Sequence, residues 1–104
     1  MTPDLISLLQ AYLQNVNKPT DTWPKNEILR YTAIEYTVDT LCHSLYSNRN
    51  CIGKEATWVV DRYLKRVTNN YDKMQEETNA GNMQFFWVCC ILCAQELKSL
   101  YFDC

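Results

Sequence analysis

The stretch Tyr31–Leu45 reads YTAIEYTVDTLCHSL, and two periodicities compete in it. Ile34, Tyr36, Val38 and Thr40 alternate with Glu35, Thr37 and Asp39, and their β-branched and aromatic content suits a strand. Tyr31, Ile34, Val38, Leu41, Cys42 and Leu45 recur at the spacing of a helix face. The alternation stops at Thr40 while the helical stripe persists to Leu45, so the stretch is predicted helical, within a helix of about residues 24–46.

Upstream, Thr2, Pro3 and Asp4 supply an N-cap, a first-turn proline and an acidic residue, opening a helix over about 3–16 with Ile6, Leu9, Leu13 and Val16 on its stripe. Asn17 to Trp23 reads as a loop, closed by Thr22 and Pro24 as a second capped start. Downstream, Ser47 to Asn50 is a polar break. Val60, Leu64, Val67, Tyr71 and Met74, with Ala56 and Tyr63, then mark an amphipathic helix over about 54–78. Asn79 to Asn82 reads as a stop and turn, and the last helix, about 83–102, carries Phe86, Cys90, Cys93, Leu97, Leu100 and Tyr101 on its main stripe. Four helices on short connections predict an all-α four-helix bundle in a single domain, residues 1–104, with antiparallel neighbours.

Composition supports this reading. The 104 residues are 47% apolar with formal net charge −2, which excludes disorder, and two glycines with three prolines are too few for the turns of an all-β fold. The chain opens with no basic or small-residue signal pattern, so a complete cytoplasmic gene product is expected. The densest apolar run, Phe85 to Ala94, would be about 15 Å long as a helix, short of the roughly 20 residues a bilayer needs, and is read as core with no membrane contact.

Candidate chemistry is sparse. Of the six cysteines, Cys89, Cys90 and Cys93 crowd five consecutive positions, and with Cys42 they form the alternative reading of a thiol-based metal-handling bundle. A redox Cys-x-x-Cys works at a helix N-terminus, whereas Cys90 and Cys93 fall mid-helix in an apolar run, so packing thiols and no cofactor are expected. His43 is the only histidine and is predicted off the core stripe. Glu35 and Asp39 share a flank, but a di-metal carboxylate site needs a Glu-x-x-His on each of two helices. No phosphate loop, nucleophile elbow, zincin or EF-hand pattern occurs.

The informative surface is the third helix. Trp58 is predicted about 160° from Val60 at 100° per residue, with Lys54 and Arg62 one turn away and Lys65, Arg66 and Lys73 nearby. An exposed tryptophan beside arginine is the composition of a binding hot spot, and local stacking on Arg62 is the competing reading. Acidic residues interleave with these cations, which argues against nucleic acid tracking this helix. Leu29, Ala33 and Tyr36 form a second apolar side on helix two, either internal or an interface, and in the latter case a homodimer is expected. The expected function is a non-enzymatic helical binding protein that occludes a partner protein through Trp58, Arg62, Lys65, Tyr36 and Leu29. An immunity protein or antitoxin masking a toxin, or a viral or phage protein blocking a host defence factor, is the type expected. Nucleic-acid binding through the third helix is the further alternative.

Overall fold

The computed structural model describes residues 4–20, 22–47, 56–74 and 81–102. They contain α1 (Leu5–Gln14), α2 (Lys25–Ser47), α3 (Thr57–Met74) and α4 (Gly81–Leu97), and α4 runs on into a π-helical turn over Lys98–Phe102. No strand occurs among the described residues, and the ambiguous stretch 31–45 is helical throughout. The helical stripe wins because it buries Ile34, Val38, Leu41 and Leu45 on one side, which a flat alternation could not do.

The ends differ in detail from expectation. Helix α1 starts at Leu5, capped by Asp4, whose extended backbone lets Oδ1 accept from the Ser7 amide at 2.7 Å. Aspartate is as good an N-cap as threonine, and this hydrogen bond holds the exposed Asp4 carboxyl below its ordinary range. The expected cap Thr2 and first-turn Pro3 lie outside the described residues. At α2 the Pro24 carbonyl accepts from the Glu27 and Ile28 amides, while Thr22 pairs with the Thr20 hydroxyl at 2.8 Å instead of capping. Gly81 and Asn82, expected in a turn, form the first turn of α4. Lys54, Glu55 and residues 75–78, expected at the ends of the third helix, also lie outside the described residues.

Contacts between helices fix the topology. The Cys42 thiol reaches the Ile6 carbonyl and Tyr12 Oη donates to Glu96 Oε2 at 2.8 Å, so α1 runs antiparallel to α2 with its far end reaching α4. Thr57 Oγ1 donates to the Phe102 carbonyl and Lys98 pairs with Asp61 at 2.8 Å, which sets α3 antiparallel to α4. Thr37 meets Tyr63 and Tyr36 meets Arg66, so α3 is antiparallel to α2 as well. The chain is thus an up-and-down four-helix bundle whose most extensive interface joins two parallel helices, α2 and α4. This explains the second apolar side of α2. Ala33 is buried, its carbonyl accepts from the Cys90 thiol, and Tyr36 packs on Phe86 and Trp87. The side that gave reason to expect a homodimer therefore faces inward.

The tail of α4 departs from a regular stripe. Leu100, expected in the core, is 46% exposed, Tyr101 is half-buried, and Phe102 is fully buried. The π-helical turn widens the helix to i→i+5 spacing, so the inward position after Leu97 falls on residue 102 rather than on 100 or 101. The helical run Gly81–Phe102, 22 residues, is long and apolar enough by length and composition to cross a membrane, more than its ten-residue densest part implied. Within the bundle Cys90, Cys93, Ala94, Leu97 and Phe102 are buried, while 28% of the run's apolar window is buried in all. Its outer side leaves Phe85 and Leu92 exposed, the latter by 60%.

Candidate functional site

Helices α2 and α3 each pack extensively on neighbours but only lightly on one another, leaving an open groove of about 550 Å3 between their outer sides. From α2 the wall is Thr40, His43, Ser44 and Ser47, spaced i, i+3, i+4 and i+7 along one polar stripe. From α3 come Trp58, Arg62, Lys65, Arg66 and Asn69, again one face at one-turn intervals, with Val59 and Tyr63 lining the same groove from their buried positions. Trp58 is 41% exposed, and among the described residues no ring and no guanidinium stacks on it. Its expected local partner Arg62 is itself exposed.

The groove is held rigid at its inner edge. Thr37 Oγ1 and Tyr63 Oη share a buried hydrogen bond of 2.7 Å that joins α2 to α3. Arg66 Nη2 donates to Tyr36 Oη at 3.0 Å, and the same guanidinium lies over the Tyr63 ring at 5.6 Å. Tyr36, Phe86 and Trp87 then form a cluster of tilted and edge-on rings, with centroids 4.9 Å to 6.0 Å apart, that anchors this edge on α4. Such ring pairs contribute on the order of 1 kcal/mol each beyond their buried area.

Charge is segregated here. Among the described residues the lining supplies three cations and no carboxylate, and α3's Asp61 is drawn to Lys98 instead. Of the residues expected to contact a partner, Trp58, Arg62 and Lys65 come together in this groove. Tyr36 touches it only through Arg66 and is otherwise half-buried in the ring cluster. Leu29 is half-buried and lies eleven residues before Thr40, about 16 Å along the α2 axis at 1.5 Å per residue, so it does not join them. Lys54, expected beside Trp58, lies outside the described residues. Sequence reasoning missed Thr40, Asn69 and the role of His43, and read Arg66 as merely nearby. The polar stripe of α2 was visible at helical spacing, but such a stripe looks like an ordinary solvated face until a second helix is known to lie beside it.

The thiols are placed for packing. Cys89, Cys90 and Cys93 are buried on α4, and Cys42 is half-buried against α1. Burial pushes Cys42 up to about 11 and Cys93 up to about 12, and raises Cys89 and Cys90 as well, so the protonated thiol is favoured over the thiolate that binds metals. Among the described residues no three His, Cys, Asp or Glu side chains come together in a metal-binding group, so the set Cys42, Cys89, Cys90 and Cys93 is not assembled around one point. Cys51 and Cys104 lie outside the described residues.

Comparison with protein-family models, with curated proteins and with solved structures finds no match for this chain.

Proposed function

We propose that this protein is a non-enzymatic helical binding protein that acts by covering a surface of a partner protein with its α2–α3 face. The observation that carries the reading is the exposed Trp58 set among Arg62, Lys65 and Arg66 along one groove. Tryptophan and arginine dominate binding hot spots because a flat ring or a planar guanidinium buries much area at little entropic cost. Among the described residues the lining offers no carboxylate to pair with His43 as acid and base, and the buried thiols favour their unreactive form, so the arrangement supports recognition better than catalysis.

Occlusion of a toxin or of a host defence factor from within the cytoplasm is the setting we favour for such a protein. The basic sign of the groove fits an acidic target surface, and so argues against a basic nuclease as the molecule docked there. The test is Trp58→Ala in a pull-down of the partner from the native cell, read together with the melting temperature. Expected is a loss of capture of about tenfold or more with melting nearly unchanged, as befits a partly exposed hot-spot residue. Undiminished capture would overturn the assignment of this face.

A further inference from the structure

Resting on that reading, we infer that the α2–α3 groove receives a short acidic segment of the partner protein, an apolar side chain covering Trp58 and carboxylates meeting Arg62, Lys65 and Arg66. Charge complementarity carries the argument. The three groove cations stand in a chain of formal net charge −2, so all remaining residues sum to −5. Three of the four cations of α3 line the groove, the fourth being Lys73, and the two acidic residues of the helix, Asp61 and Asp72, are exposed outside it, Asp61 in a pair with Lys98.

Length decides between acidic ligands. From Trp58 to Asn69 the groove spans eleven residues of helix, about 16 Å. That is about two Debye lengths at physiological salt, so a long polyanion leaving the Asn69 end would pass onto exposed Asp72 and Lys73, with no net positive charge to hold it. A nucleic-acid strand meets this penalty, whereas a protein segment of about five extended residues ends with the groove. Trp58, Arg62 and Arg66 follow one another at one-turn steps of about 6 Å. This matches carboxylates on alternate residues of an extended segment, and an apolar residue ahead of them falls on the ring.

The probe is a fluorescein-labelled nine-residue peptide with one leucine followed by alternating glutamates, titrated into the full chain by anisotropy at low salt. Controls are the same peptide with glutamine for glutamate and an oligothymidylate of equal charge. Expected is binding of the glutamate peptide at least about tenfold tighter than either control, and a loss of about tenfold or more in Arg62→Glu/Lys65→Glu. Both positions are exposed, so helical circular dichroism and melting should persist, and Trp58→Ala serves as a second, uncharged probe of the same groove. Equal affinity for the glutamine peptide, tighter binding of the oligothymidylate, or indifference to the charge reversal would each overturn the inference. If the glutamate peptide fails while Trp58→Ala still abolishes capture of the native partner, the acidic occupant is wrong and the surface-covering role stands. If capture also ignores Trp58→Ala, both fall.

Discussion

Tyr63 turns its hydroxyl to the inside of the protein, where it bonds Thr37, while its ring supports the Arg66 guanidinium that lines the groove. Thr37 is the one buried polar residue of the described core, and this bond gives its hydroxyl an oxygen partner across two helices that otherwise touch little. Removing one partner strands the other in a dry place, which costs more than the bond itself contributes. Tyr63→Phe should therefore lower stability by about 1–3 kcal/mol in urea denaturation, and Thr37→Val/Tyr63→Phe should cost clearly less than the two single changes added together. Additive costs would show that the pair does not couple α2 to α3. At this scale the sequence was legible in part. Trp58, Arg62 and Lys65 could be placed on one outward face by angle alone, because helical geometry makes facing a local property. Tyr36 could not, since its position depends on Phe86 and Trp87, fifty residues and more away along the chain.

The elements were read well in their middles and less well at their ends. Apolar stripes repeat over many residues and average out local noise, whereas a cap rests on one or two side chains, and Asp4 competes with Thr2 on nearly equal terms. The π-helical turn was invisible, because no residue in Lys98–Phe102 demands it. It forms because it delivers Phe102 to the core and the Phe102 carbonyl to Thr57. Phe102→Ala should cost about 3–5 kcal/mol as an emptied aromatic site, while Leu100→Ala should cost under about 1 kcal/mol. A regular helix that buried Leu100 would give the reverse order in thermal or chemical unfolding, so the pair of variants tests the turn directly.

For the molecule as a whole, burial acts on many titrating groups in one direction. Cys42, Cys89, Cys90 and Cys93, and the phenols Tyr12 and Tyr63, are all raised by desolvation. A folded-state value above the unfolded one means that the native protein holds its proton more tightly. That stability is fully present below the ordinary thiol value near 9 and is lost as pH rises through about 11 to 12. Melting temperature, measured in reductant, should be flat from neutrality to about pH 8.5 and then fall progressively, and Cys93→Ala should blunt the fall. A curve as steep in that variant as in the parent would remove the buried thiol as a cause.

By itself the sequence determined the secondary-structure class, the number of helices, their inward stripes and the outward facing of Trp58 and its cations. Each of these follows from side-chain spacing along a helix whose geometry is the same everywhere. Only the tertiary structure decided which helices became neighbours: that parallel α2 and α4 share the largest interface, that the second apolar side of α2 turns inward, and that two polar stripes border one groove. Periodicity records how each helix faces, but not what it faces, because neighbour choice is a sum of packing fits between residues far apart in the chain.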